Sequence, residues 1–160
     1  MCGFLGFVNF DNIKPDNLKE ISNKLHHRGP DDSSQYIDNY NKIYFTHSRL
    51  SIIDISRNGI QPMCSKSGRF ILMFNGEIYN FKFLKNKYLK NYNFKSTSDT
   101  EVLLALIELY GFFDTIKKLE GMFAISLYDK KLKKIYLAKD RFGEKPLYYF
   151  YKKNINQFFF

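Results

Sequence analysis

Met122-Phe123-Ala124-Ile125-Ser126-Leu127-Tyr128 and Ile135-Tyr136-Leu137-Ala138 flank the lysine-rich stretch Lys130 to Lys134, and the fold class turns on this arrangement. Two apolar, aromatic and β-branched runs joined by a short charged segment predict an antiparallel hairpin with a solvated turn. Working outward, strands are expected at Phe4 to Phe10, Ile43 to Ser48, Arg69 to Phe74 and Leu147 to Tyr151. Leu18, Ile21 and Leu25 fall on one face of a helix from Asp16 to Leu25, which Arg28-Gly29-Pro30 closes off. Helices are also expected near Asn80 to Leu89 and Phe113 to Lys118. The best-marked helix follows Ser98-x-x-Glu101, a capping box, and runs from Val102 to Leu109 until Gly111 ends it. Strands grouped in hairpins, with helices segregated between the groups, predict an α+β layered fold with antiparallel sheets.

The 160 residues, 44% hydrophobic and 18% aromatic, suffice for one domain with a substantial core. No apolar run approaches the roughly 18 residues of a membrane span, and the N-terminus lacks a signal-peptide layout, so a cytoplasmic protein is expected. Two cysteines, Cys2 and Cys64, are too few for a disulfide framework. The net charge of +9 and pI near 9.4 raise a nucleic-acid partner. The lysines are scattered, however, and the densest cluster is the hairpin turn, so no nucleic-acid binding is expected.

Position 2 carries the chemistry. Removal of Met1 makes Cys2 the first residue, with thiol nucleophile and free α-amine together. That amine, ordinarily titrating at about 7.7 to 8.0, can act as base. None of His26, His27 and His47 is then required. An oxyanion formed on an attacked amide needs fixed donors, and Asn75-Gly76, expected where the strand from Arg69 ends, offers a side-chain amide and a backbone N–H. A free amino acid carrying such an amide would want an arginine fork for its α-carboxylate and a carboxylate for its α-ammonium, roles that suit Arg49 and Asp99. Singly, each residue has a plainer reading: Cys2 as a small strand residue, Asn75-Gly76 as a tight turn, Arg49 in an ion pair, Asp99 in a helix cap.

Together these residues lie in words that resemble the N-terminal glutaminase domain, a class II glutamine amidotransferase, of glutamine-hydrolysing asparagine synthetase. The words are Met1-Cys2-Gly3-Phe4-Leu5-Gly6, His27-Arg28-Gly29-Pro30-Asp31, His47-Ser48-Arg49-Leu50-Ser51-Ile52-Ile53-Asp54 and Asn75-Gly76-Glu77-Ile78-Tyr79-Asn80. Ser98-Asp99-Thr100-Glu101, Leu119-Glu120-Gly121-Met122-Phe123-Ala124 and Asp140-Arg141-Phe142-Gly143-Glu144-Lys145-Pro146-Leu147-Tyr148-Tyr149 follow in order. The resemblance implies an N-terminal-nucleophile hydrolase fold, a four-layer αββα sandwich with two antiparallel sheets. It implies Cys2 as nucleophile, and Asn75 with Gly76 as oxyanion hole. Glutamine would be held by Arg49, Leu50, Ser51, Ile52 and Ile53, with Glu77 and Asp99 near its ammonium. A γ-glutamyl thioester would give glutamate and ammonia.

The family continues into an ATP-dependent synthetase domain that turns aspartate into asparagine, and nothing in residues 1–160 resembles it. Cofactors are therefore expected in neither the site nor the domain, with ATP and magnesium confined to that synthetase domain. Glutamine and a synthetase domain in cis are the expected partners, with a homodimer open to the full-length protein, and no metal or membrane is expected. The apolar tail Gln157-Phe158-Phe159-Phe160 is awkward as an exposed end and suggests a domain slightly truncated there. Asp32-Ser33-Ser34-Gln35-Tyr36 departs from the glycine usual after Arg-Gly-Pro-Asp, so that loop is expected to differ. Amidotransferases of surface-polysaccharide or sugar-amide pathways carry nearly the same words, and a non-catalytic glutamine-binding module is a further alternative.

Overall fold

The computed structural model describes residues 2–10 and 15–160; Met1, and with it the expectation of its removal, lies outside the described residues. Nine strands and four α-helices follow one another there: β1 Gly3–Val8, α1 Pro15–Lys24, β2 Asp32–Asp38, β3 Ile43–Arg49, β4 Met63–Cys64, β5 Phe70–Ile78, α2 Phe81–Tyr88, α3 Asp99–Tyr110, α4 Phe112–Ile116, β6 Gly121–Asp129, β7 Lys134–Lys139, β8 Phe150–Lys152 and β9 Gln157–Phe159. The strands form two antiparallel sheets, one in the order β2-β3-β1-β9-β8 and the other β4-β5-β6-β7. The hairpin expected around Lys130 to Lys134 is β6–β7, with Asp129 opposite Lys134.

Alternation of side chains along each strand sorts the core into layers. Ile43 and Phe45 of β3, Ile71 and Met73 of β5, Tyr128 of β6 and Phe160 fill the space between the sheets. On the far side of the first sheet, Leu18 of α1 joins Phe7 and Tyr44. On the far side of the second, Leu72 and Phe74 of β5 and Leu127 of β6 meet α3, whose Val102 to Ile107 are buried all round. The result is the four-layer αββα arrangement. Among the described residues, no helix is long and apolar enough to cross a membrane.

Several expectations need correction. The strand from Arg69 does not end at Phe74: β5 runs through Asn75 and Gly76 to Ile78, so Asn75-Gly76 is mid-strand and not a turn. Gly76 is needed there because a Cβ would stand 2.0 Å from the Met122 carbonyl oxygen and 2.7 Å from Phe123 Cα. Leu147 to Tyr149 are not strand, which starts at Phe150. The tail 157–160 is not exposed: β9 pairs with β1 and β8, and Phe160 lies 9% exposed over Gly6 and beside Phe45. Residues 32–38, polar enough to read as loop, form edge strand β2, whose alternate residues face solvent. The capping box is half made. Ser98 Oγ accepts the Glu101 N–H, but the Glu101 carboxylate accepts from Lys95 N and Ser96 N rather than returning to Ser98.

Candidate active site

Cys2 enters from the start of β1 and Asn75 from β5, so thiol and amide come from different sheets and meet in the layer between them. A cavity of about 90 Å³ is lined by Cys2, Arg49, Leu50, Ile52, Ile53, Asn75, Gly76, Glu77 and Asp99. Of the glutamine-pocket residues expected from sequence, only Ser51 is missing from this lining. Its N–H donates to Asp31 Oδ2 at 2.7 Å, which fastens the loop to the Arg-Gly-Pro-Asp segment. Cys2 Sγ is paired with the Leu50 backbone, accepting from its N–H at 3.4 Å and lying 3.6 Å from its carbonyl. Among the described residues, no histidine is hydrogen-bonded to the thiol: His27 Nδ1 meets Lys24 O, and His47 Nε2 meets Phe74 O.

The donors that face the cavity from β5 follow from the ladder. Tyr79 N–H donates to Glu120 O and Lys130 N–H to Arg69 O, which fixes the odd-numbered residues of β5 as those bonded to β6. Gly76 therefore turns its N–H to the outer edge and the cavity. Asn75, 7% exposed, points its side chain between the sheets, and that amide has no hydrogen-bond partner among the described residues. The Asn75 amide and the Gly76 N–H thus border the same cavity as the Cys2 thiol.

Arg49 is 5% exposed and ties down the loop that follows it. Its Nη1 donates to Asp32 Oδ2 at 3.3 Å and to Ser56 O at 2.8 Å, and its Nη2 donates to Asp54 O. Among the described residues these bonds use three of the five guanidinium donors, and two have no partner. Gly59 lies flat against this group; a Cβ there would sit 2.3 Å from Nη2. Asp54 holds the other end of the loop by accepting Thr97 N–H at 2.7 Å and Ser56 N–H at 2.7 Å. Hydrogen bonds from Ser56 and Thr97 keep its carboxyl at about 2.

Asp99 is the first residue of α3 and only 4% exposed. Burial pushes its pKa up to about 6, with the nearby Glu77 charge acting in the same direction, although the Ile78 and Thr100 N–H groups oppose it. An incoming ammonium would reverse that destabilisation of the charged form. Gln61, Met122 and Lys145 also line the cavity and were not singled out from sequence. Lys145 is 6% exposed and its N–H donates to Asp140, whose carboxylate also accepts from Phe123, Phe142 and Glu144. Burial works against the charged form of Asp140, but the backbone N–H groups, Lys145 and Glu144 foremost, prevail and depress its pKa to about 2. An aspartate followed by Gly and Pro was the available signal for such a turn organiser. Among the described residues, no group of three or more His, Cys, Asp or Glu is placed to hold a metal ion.

Over residues 1–160 the chain matches the family model described as a glutamine amidotransferase domain. It is 43% identical over 156 residues to asparagine synthetase [glutamine-hydrolyzing] 2 of Bacillus subtilis, covering 93% of this chain and 20% of that protein. It is 35% identical over 171 residues to putative asparagine synthetase [glutamine-hydrolyzing] 2 of Methanocaldococcus jannaschii, covering 96% and 33%. For asparagine synthetase [glutamine-hydrolyzing] 2 of Arabidopsis thaliana the figures are 40% over 151 residues, 92% and 25%. The chain thus spans between a fifth and a third of the length of these relatives. Among solved structures, glutamine phosphoribosylpyrophosphate amidotransferase from B. subtilis, complexed with ADP and GMP, superposes with a TM-score of 0.79 at 19% identity, over 99% of this chain and 41% of that one. That likeness carries the fold, the N-terminal-nucleophile hydrolase sandwich.

Proposed function

The chain belongs to the glutamine amidotransferase domain family, and we propose that it is the glutaminase unit of a glutamine-hydrolysing asparagine synthetase, with Cys2 as nucleophile. The observation that carries this reading is the placement of the Cys2 thiol, the unpartnered Asn75 amide and Gly76 in one cavity. In the proposed reaction Met1 is first removed, freeing the Cys2 amine. That amine takes the thiol proton as sulfur attacks the side-chain carbonyl carbon of glutamine, and the negative charge on oxygen is held by Asn75 Nδ2–H and Gly76 N–H. Collapse breaks the C–N bond, the amine returns the proton to the leaving nitrogen, and ammonia departs from a γ-glutamyl thioester. Water activated by the same amine then cleaves the C–S bond and yields glutamate.

Arg49, with its two remaining donors, and the backbone of the Leu50–Ile53 segment take the α-carboxylate; Asp99 and Glu77 take the α-ammonium. This assignment puts the negative groups and the positive group at separate parts of one small cavity, which selects a free amino acid over a peptide-linked glutamine. The high identity to asparagine synthetases, and the fraction of those proteins that the chain spans, support ammonia delivery to a synthetase domain in cis, where ATP and magnesium would act on aspartate. The test is ammonia release from glutamine by wild type and Cys2→Ala, with intact mass and labelling by a glutamine-mimicking electrophile. A single adduct on a processed Cys2 is expected; ammonia release surviving in Cys2→Ala refutes the mechanism.

A further inference from the structure

Phe74 has an unusual hydrogen-bonding situation. It is one of the residues of β5 turned away from β6, and β4, only two residues long, pairs no further along that edge than Leu72. Both backbone groups of Phe74 are completed by buried side chains. Its N–H donates to Gln61 Oε1 at 2.6 Å, and its carbonyl lies 3.2 Å from His47 Nε2. Further along the same edge, Ile78 N–H donates to Asp99 Oδ2 at 3.0 Å. Gly76, whose N–H faces the cavity, is thus held between two anchored positions.

His47 is 1% exposed, and its Nδ1 has no partner among the described residues. Burial lowers its pKa to about 4, the Phe74 hydrogen bond opposing and the Arg49 charge adding, so the ring is neutral at physiological pH. A carbonyl can only accept, so Nε2 carries the hydrogen and Nδ1 is a bare buried acceptor. A leucine would fill the same space without that orphan nitrogen. What the histidine supplies is the link itself. It stands opposite Phe4 of β1, two residues from Cys2, while the carbonyl it holds belongs to the peptide that leads into Asn75.

The geometry points to His47, with Gln61 as second anchor, as a positioning residue that sets the gap between the thiol on one sheet and the oxyanion donors of Asn75 and Gly76 on the other. This rests on the glutaminase reading above. His47 touches no reacting atom and is not the base.

The experiment measures kcat and KM for glutamine, and affinity for glutamate γ-semialdehyde, in wild type, His47→Leu, His47→Gln and Cys2→Ala. The aldehyde forms a hemithioacetal with the thiol, and its oxygen takes the oxyanion position. In His47→Leu, kcat and semialdehyde affinity are expected to fall together by about 10- to 100-fold, as for an angstrom-scale misplacement, with KM little changed. His47→Gln, whose Nε2 donor can reach the same carbonyl, restores most of both. A kcat for His47→Leu within about twofold of wild type, a loss expressed in KM alone, or no rescue by glutamine overturns the proposal. Should His47→Leu not fold, nitrogen NMR of the wild-type ring decides: the Nε2–H tautomer is expected, and the Nδ1–H tautomer overturns the proposal. A wild type that releases no ammonia, or whose release survives Cys2→Ala, refutes the glutaminase reading. Cys2-dependent release with an unimpaired His47→Leu refutes the positioning role alone.

Discussion

Gly76→Ala is the most informative single change, because the structure separates its two effects. The added methyl would lie 2.0 Å from the Met122 carbonyl oxygen and 2.7 Å from Phe123 Cα, atoms of a central strand. Neither can swing aside as a side-chain tip would, so β5 and β6 must part or the Gly76 peptide must rotate. Overpacking of this kind costs about 1 to 3 kcal/mol, and an unyielding backbone neighbour places it toward the upper value. Rotation also takes the Gly76 N–H off its line to the proposed oxyanion; loss of one such donor costs about 2.7 to 4 kcal/mol in the transition state, or 10²- to 10³-fold in kcat. Gly68→Ala is the control: φ there is +74°, yet a Cβ meets nothing within 4 Å. It is expected to cost only the left-handed penalty of about 1 to 2 kcal/mol and to leave kcat unchanged. Urea unfolding and coupled detection of ammonia measure both quantities. If Gly76→Ala retains kcat within about threefold and unfolds like Gly68→Ala, the close strand approach and the donor role of Gly76 are both wrong.

Asp99 links the stability of the fold to the proposed ammonium contact. Its folded value near 6 stands above the 3.8 of an unperturbed aspartate, so the unliganded fold holds that proton more tightly than the unfolded chain, and stability falls as pH rises from about 4 to about 6. The difference of about two units is of the order of 3 kcal/mol, so Asp99→Asn should melt higher than wild type at pH 8, match it at pH 4, and bind glutamine more weakly at pH 8. Equal melting at both pH values refutes the shift. Arg49→Lys removes the planar fork and its grip on Asp54 O and Ser56 O; KM should rise by about tenfold or more with a smaller change in kcat, and an unchanged KM contradicts the carboxylate role. Asp140→Asn should lower the melting temperature at pH 7, because a carboxylate that accepts four N–H groups is replaced by an amide. The Asp140 value near 2 lies below the unfolded one, so this deficit shrinks as pH drops from about 4 toward 2, and a deficit constant with pH argues against the charge.

Much of this was legible in residue order. The β6–β7 hairpin could be read because its apolar runs are uninterrupted and its turn is charged, and α3 because Ser98 and Gly111 mark its ends. What sequence could not give were features set by tertiary pairing. Strand β2 has poor strand-forming residues and exists because β3 supplies its partners from Asp32 to Asp38. Asn75-Gly76 reads locally as a turn, yet β6 approaches so closely that only glycine continues the strand. The pocket residues Cys2, Arg49, Asn75, Gly76, Glu77 and Asp99 were all named from sequence, whereas Gln61, from the segment before β4, and His47, from the other sheet, meet at Phe74 through tertiary contacts that no spacing encodes.

The pairing of β9 with β1 has a consequence for biosynthesis. The strand leading out of Cys2 is flanked by β3 on one side and by β9 on the other, and Gly6 and Phe160 exchange two backbone hydrogen bonds. A ribosome emits β1 before, and β9 after, the other described strands and helices of residues 1–160. Until then β1 has a bare edge, open to strand addition from a neighbouring nascent chain. Chaperone contact with this edge during translation is therefore expected to lessen once Phe158 and Phe160 emerge and close the sheet.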